Sequence, residues 1–271
     1  MRIAFIGGGN MAAALIAGLL RDGVGAEALS VVEVDPQRLA WLERQYGVRA
    51  SAAPDRALGG TDATVLAVKP QQMRAACEAC RPFLCGGFLL TIAAGIPAAS
   101  VAAWSGHPQV VRAMPNTPAL IGAGITGISA GPEVGAAARA LAERIMRACG
   151  DVVWFDQESM LDAVTAVSGS GPAYVFFFIE ALQAAGQAMG MTADQARRLA
   201  IATFRGAALL ASQSEEPPEV LRERVTSKGG TTAAALEKLG ALGVRERFAD
   251  AVFAALERSR ELARTYGSPD P

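Results

Sequence analysis

The sequence predicts an α/β fold: an N-terminal Rossmann-type doubly wound sheet with a second, all-α domain. Three observations predict it. The chain opens on a short apolar run, Ile3 to Ile6, that stops in Gly7-Gly8-Gly9 and continues into an alanine-rich helical stretch. Residues 1–155 alternate strand-like and helix-like patterns, which implies a parallel sheet. From residue 156 to 271 the alternation stops and helical periodicity dominates. The 271 residues suffice for two domains and a large core.

In chain order, strands are expected at Ile3–Ile6, Leu29–Val34, Ala63–Val68, Phe88–Ile92, Val110–Ala113 and Val152–Phe155. Helices are expected between them, near Met11–Arg21, Pro36–Tyr46, Gln71–Arg81, Ala98–Trp104 and Glu133–Ala148. Beyond Phe155 the pattern predicts one long helix over Asp156–Met189, kinked at Gly169-Ser-Gly-Pro172, with Phe176-Phe-Phe178 as core. A second helix, Thr192–Ser212, has Thr192 as its N-cap. Pro218–Val225, Thr231–Leu239 and Val244–Tyr266 complete the set, and Ser268–Pro271 reads as a frayed tail.

The opening segment carries chemistry. Gly7-x-Gly9-x-x-Ala12 fits the dinucleotide fingerprint, and it has the flanking strand and helix the fingerprint needs. Gly7 permits the tight turn, Gly9 admits the pyrophosphate, and Ala12 lets the helix lie near the strand. The helix N-terminus attracts the phosphates. A signal peptide is the rival reading of Arg2, the apolar run and Ala12-Ala13-Ala14. It fails because Gly7-Gly8-Gly9-Asn10 interrupts the apolar region.

Ligands of a doubly wound sheet bind at the carboxyl ends of its strands. The expected coenzyme contacts are therefore Ile6, Gly7, Gly9, Asn10 and Met11 after the first strand, and Glu33 and Asp35 after the second. Ala67, Val68, Lys69 and Pro70, then Ala94, then Asn116 follow the later ones. Lys69 reads equally as a solvated charge, and Asn116 equally as a turn residue between Pro115 and Pro118. An acid about 20 residues beyond the glycines takes ribose hydroxyls and repels a 2′-phosphate. Glu33 and Asp35 thus favour NADH at least as well as NADPH, with Arg38 the nearby cation.

Composition narrows the class. Hydrophobic residues are 51% and charged residues 19%, apolar enough to suggest burial against a second copy. A net charge of −1 leaves no nucleic-acid footprint. No apolar run approaches a membrane span. Cys77-x-x-Cys80 has no second pair at zinc spacing. No metal site is expected, and the four cysteines read as small buried thiols in a reducing cytoplasm. The lone histidine, His107, sits in the turn Ser105-Gly-His-Pro108, which makes histidine-based catalysis improbable.

Three blocks converge on one family. Val111-Arg-Ala-Met-Pro-Asn-Thr-Pro118, Val167-Ser-Gly-Ser-Gly-Pro-Ala-Tyr-Val175 and Val225-Thr-Ser-Lys-Gly-Gly-Thr-Thr232 resemble the signature blocks of pyrroline-5-carboxylate reductases. The glycine-rich start and Ala67-Val-Lys-Pro70 resemble that family too. The resemblance implies reduction of the C=N bond of 1-pyrroline-5-carboxylate to L-proline, the last step of proline biosynthesis. It also implies NADPH or NADH as coenzyme, and a homodimer or larger assembly of dimers. Thr232 matches the family's active-site hydroxyl, which hydrogen-bonds the ring nitrogen. Ser227, Gly229, Gly230 and Thr231 match the segment that holds the substrate carboxylate, and Ser170 lies in a block that lines the active site.

Exposed N–H groups before a helix suit an anion. Taken alone, however, the Gly-Gly-Thr-Thr block reads as a helix N-terminus with glycine for the turn and threonine for the cap. Lys228 departs from the family, where many members have proline. A protonated imine is already electrophilic, so the protein's task is to orient donor and acceptor. The rivals are a β-hydroxyacid dehydrogenase and a non-catalytic nucleotide sensor on the same fold. The first places a lysine soon after its Gly-Ser-Gly, where this chain has Pro-Ala-Tyr-Val-Phe-Phe-Phe-Ile-Glu180. The intact Gly-Gly-Thr-Thr block argues against the second.

Overall fold

The computed structural model describes residues 1–267. The tail Ser268–Pro271, expected to fray, lies outside the described residues. Strand β1 (Ile3–Ile6) sits between β2 (Leu29–Val32) and β4 (Ala63–Leu66), parallel to both, with Ile3 opposite Leu29 and Ala63. The short β3 (Arg49–Ser51) pairs outside β2. On the other side β5 (Phe88–Thr91) and β6 (Val110–Met114) continue the parallel ladder. The direction of growth reverses between β1 and β4, which makes their carboxyl ends the ligand crevice of such a sheet.

The sheet ends differently from the expected all-parallel pattern. β7 (Gly124–Ala130) runs antiparallel to β6, and β8 (Gly150–Trp154) runs parallel to β7. The full order is β3-β2-β1-β4-β5-β6-β7-β8. The β6–β7 link is too short for a crossover helix, so the chain turns back on itself. Neither β3 nor β7 is among the expected strands. Arg-Ala-Ser carries no apolar pattern, and Gly-Ile-Thr-Gly-Ile-Ser-Ala is dominated by small residues.

Helices α1 (Asn10–Arg21), α2 (Pro36–Tyr46), α3 (Pro70–Cys80), α4 (Ala98–Ser105) and α5 (Ala136–Arg147) cover the sheet. Alternation along β1 divides the core. Ile3 and Phe5 join Leu15, Ile16 and Leu42 on one face; Ala4 and Ile6 join Met73, Leu89 and Val101 on the other. Phe5 is fully buried, which contributes about 1.5–3 kcal/mol relative to exposure.

The expected long helix over Asp156–Met189 is broken. A short α6 (Met160–Val164) runs into a π-type turn over Thr165–Gly169, and α7 (Gly171–Ala188) starts afresh. The compact units part at this break: residues 1–170 with 255–267 form one, and 171–254 the other. The sequence reading divides the chain after Phe155. Residues 156–170 pack with the first unit because Leu161 and Ala166 are buried and Glu158 is ion-paired to Arg112 of β6.

The second unit holds α7, α8 (Ala193–Ser212), α9 (Pro218–Arg224), α10 (Thr231–Ala241) and the start of α11 (Val244–Tyr266). Thr192 and Gln195 form a reciprocal capping box on α8. Phe178 packs edge-on against Phe248. The expectation that Phe176 and Phe177 are core fails: they are 60% and 65% exposed. Among the described residues nothing buries these two side chains of α7.

Candidate active site

The strand ends meet at one crevice. Gly7 donates its N–H to Val32 at 2.8 Å, and Ala67 donates to Ile6 at 2.8 Å. Gly7 adopts φ +93°, and a Cβ there would lie 2.9 Å from the Ala67 carbonyl oxygen and from Val68 Cγ1. Only glycine permits both the turn and this approach. Gly9 differs, since a Cβ there would meet nothing within 4 Å. Its small size therefore serves no packing inside the chain; it leaves an open cradle in front of α1. Gly9 is the N-cap of α1 and gives no side-chain cap, so the first N–H groups, those of Asn10 and Met11, face that cradle. These residues fit a dinucleotide pyrophosphate. Ala12 is fully buried, as close helix–strand packing requires.

The second strand end is already engaged. Glu33 accepts the Gly8 N–H at 2.7 Å and the Asp35 N–H at 2.9 Å. Asp35 caps α2, accepting from Gln37 N at 2.9 Å and Arg38 N at 3.4 Å. Arg38 donates from Nε to the Gly8 carbonyl at 2.6 Å and lies over the Trp41 ring at 4.2 Å. Glu33 and Arg38 thus hold the middle glycine through its N–H and its carbonyl, while Asp35 is spent on capping α2. Of the remaining expected contacts, Lys69 is exposed and Pro70 opens α3, while Ala94 is half-buried in the loop after β5.

Asn116 is buried, and its side chain is used internally. Its Nδ2 donates to the Ser168 carbonyl at 3.2 Å, and its Oδ1 accepts from Ile125 N at 3.0 Å. It ties the loop after β6 to the π-type turn, where Ser170 donates its N–H five residues back to Thr165 at 2.8 Å. Thr165 and Ser168 donate their hydroxyls to the Leu161 and Val164 carbonyls at 2.8 and 3.0 Å. A Cβ on Gly169 would sit 2.7 Å from Met114 Cε. Ser170 closes this turn.

One connection was not anticipated from sequence. Arg112 of β6 is buried and donates to Glu158 at 2.7 Å; the same oxygen accepts the Ala98 N–H at the start of α4, also at 2.7 Å. A lone arginine inside the apolar strand Val-Val-Arg-Ala-Met is the signal, since a buried charge needs a partner.

In the second unit, Ser227 to Gly230 form a tight turn before α10. Gly230 donates its N–H to the Ser227 carbonyl at 3.0 Å, and Gly229 has φ +72°. Lys228 is not in the left-handed region, so the turn is of type II. A Cβ on Gly230 would meet Ser227 Oγ, so a larger residue there would force the serine hydroxyl to turn away. The helix that follows has Gly230 as N-cap without a side-chain cap. The threonine-cap reading therefore fails, and the leading N–H groups, including those of Thr231 and Thr232, are left for an anion. Thr232 is half-buried one residue into α10.

The thiols play no part at either place. Burial pushes Cys77 up to about 12, with Cys80 and Glu78 adding like charge, and Cys80 and Cys149 up to about 11. Cys85 departs from the expected set because it is exposed. His107 follows the left-handed Gly106 that ends α4, as its turn reading requires. Burial lowers its pKa, although a backbone hydrogen bond to Gln109 opposes this. Among the described residues no helix is long and apolar enough to cross a membrane.

Comparison with known proteins identifies the family. Residues 158–262 match the pyrroline-5-carboxylate reductase dimerisation family, and residues 2–95 match a family described as NADP oxidoreductase, coenzyme F420-dependent. The pyrroline-5-carboxylate reductase of Pseudomonas aeruginosa is 44% identical over 268 residues, covering 98% of each chain. A solved pyrroline-5-carboxylate reductase from Coxiella burnetii superposes with a TM-score of 0.91 at 38% identity, over 97% of this chain and 98% of that one. A Plasmodium falciparum pyrroline carboxylate reductase with NADP bound gives 0.85 at 27% identity, over 97% and 98%. Identity of this extent, carried over nearly the full length of both chains, means that the chain belongs to the pyrroline-5-carboxylate reductase family.

Proposed function

We propose that this protein reduces 1-pyrroline-5-carboxylate to L-proline with a reduced nicotinamide coenzyme, NADPH or NADH. The observation that carries the reading is the 44% identity over nearly all of a pyrroline-5-carboxylate reductase, with the three signature blocks intact. The glycine cradle formed by Gly7, Gly9, Asn10 and Met11 would hold the pyrophosphate, and Glu33 the adenosine ribose. When bound, the coenzyme supplies the hydride. The N–H groups of Gly229 and Thr231 hold the substrate carboxylate, Gly230 shapes the turn by keeping its own N–H on the Ser227 carbonyl, Ser227 flanks the site, and the Thr232 hydroxyl orients the ring nitrogen. A protonated imine is already electrophilic, so no strong general acid is needed.

The functional division places the coenzyme domain in residues 1–155 and the substrate and dimerisation domain in residues 156–271. The dimerisation family match beginning at residue 158 supports it. The working form is a homodimer or an assembly of dimers. The exposed Val175, Phe176, Phe177, Leu209 and Leu210 of α7 and α8 support burial against a second copy. The test is a substrate scan with both coenzymes. Turnover of 1-pyrroline-5-carboxylate and none of 3-hydroxyacids is expected; the reverse pattern would move the chain to the hydroxyacid dehydrogenases, and no turnover would favour a sensor.

A further inference from the structure

Pro172 leaves a gap in the hydrogen bonding of the chain. In a continuing helix the Ser168 carbonyl accepts from the N–H four residues on. That residue is Pro172, which has none. The donor that reaches this carbonyl is Asn116 Nδ2, 52 residues away in sequence, at 3.2 Å. The other end of the same amide accepts the Ile125 N–H at the start of β7. Asn116 is 9% exposed, so it bridges two rigid elements instead of facing solvent. Beside it, Met114 fills the space that the missing Cβ of Gly169 leaves open. Two residues of one strand end thus brace a π-type turn, a local form that is uncommon and often tied to function.

We infer that Asn116 is a positioning residue: it replaces the absent Pro172 N–H, fixes the π-type turn, and so sets where Ser170 stands. It acts on the reaction through that turn and not as a coenzyme ligand. The inference rests on the reading of Ser170 as part of the active-site wall. A shift of the wall changes hydride alignment while leaving the phosphate cradle at Gly9 untouched.

Asn116→Asp tests this. It keeps the volume and the acceptor for Ile125, but it puts a carboxylate oxygen where the donor to Ser168 was. The expected result is a kcat lowered by about tenfold or more, as small misalignments of reacting groups do. The Kd of the reduced coenzyme, from fluorescence titration, stays within about twofold, and the isotope effect on kcat with 4-deuterated coenzyme rises. Pro172→Ala restores an N–H at the gap. Added to Asn116→Asp, it should bring kcat back to within about threefold of wild type, a coupling that independent sites do not show.

The melting temperature should follow the same loss and recovery, whatever the substrate. Wild-type turnover, measured first, therefore separates a wrong substrate from a wrong role for Asn116. A coenzyme Kd raised about tenfold at unchanged kcat would make Asn116 a coenzyme ligand and overturn the inference. So would a double variant no better than the single one in either readout. If Asn116→Asp alone does not fold, a folded and active double variant supports the inference, and an unfolded one overturns it.

Discussion

The Glu33 carboxylate accepts the Gly8 N–H at 2.7 Å, which ties the end of β2 to the middle of the glycine loop. On the carbonyl side of the same glycine stands Arg38, at 2.6 Å. A carboxylate held there suits the two ribose hydroxyls and opposes a 2′-phosphate; the neighbouring guanidinium softens that opposition. NADH is therefore expected to serve at least as well as NADPH. Glu33→Ser should raise the NADPH-to-NADH ratio of kcat/KM by about tenfold or more. A wild-type preference for NADPH of about a hundredfold would refute this account.

Thr232→Ala leaves the glycine turn intact and removes one oriented hydroxyl. Losing a transition-state contact of ~2–3 kcal/mol lowers kcat/KM by roughly 30- to 150-fold. Titration with reduced coenzyme should give an unchanged Kd. Activity within about twofold of wild type would reduce Thr232 to a structural residue and move the substrate site towards Gly169-Ser-Gly-Pro172.

Lys228 occupies the position of a type II turn that proline favours, and it is exposed. Lys228→Pro should keep turnover near the wild-type level. It should also stabilise the fold by about 0.4–1 kcal/mol, read from urea unfolding, by restricting the unfolded chain. Loss of activity with the fold intact would show that the amine itself is used.

The thiols should respond to alkylation by exposure. In the native protein iodoacetamide at mildly alkaline pH should label Cys85 alone among the four, and in urea all of them. The pKa values of Cys77, Cys80 and Cys149 are raised in the folded state. A raised folded value means the stability they lend is complete below the unfolded thiol pKa, near 8.5. It is lost as pH climbs through 9 towards the folded values of about 11 and about 12. A urea midpoint that stays flat up to pH 11 would contradict this.

The exposed phenylalanines of α7 carry the assembly prediction. Sedimentation should find the wild type at twice the 28.0 kDa chain mass or a multiple of that. Phe177→Glu should yield monomer with little activity. A fully active wild-type monomer would refute the dimer.

Much of this was legible in the sequence, and the omissions have physical causes. β1, α2 and α11 stand where the periodicity puts them, because each has a clean start: an apolar run into glycine, an Asp-Pro cap, and a glycine before the helix. β3 and β7 lack an apolar rhythm, so burial in the sheet comes from neighbours that sequence does not show. The residues of the glycine loop and of the Ser227–Thr232 turn could be named because glycine spacing encodes backbone shape directly. The Arg112–Glu158 pair and the bridge from Asn116 to Ser168 could not. Each joins residues more than 40 positions apart, and no local pattern records which partner a buried polar group finds.

Helix α11 has a consequence for the order in which the molecule is made. Its second half, from Ala255 to Tyr266, and Gly267 after it belong to the compact unit built by residues 1–170. Ser259 donates to Asp162 at 2.8 Å, Ser100 donates to the Gly267 carbonyl, and the Leu262–Ala263 backbone lies against Gly95 beside Ala94. A ribosome that has delivered every strand of the sheet has still not delivered the cover for this loop. The nucleotide-binding half thus reaches its final form only when the last helix emerges, after the whole helical unit has been synthesised. A chain stalled before residue 255 would therefore lack the backbone that packs against Gly95 and the partners of Ser100 and Asp162.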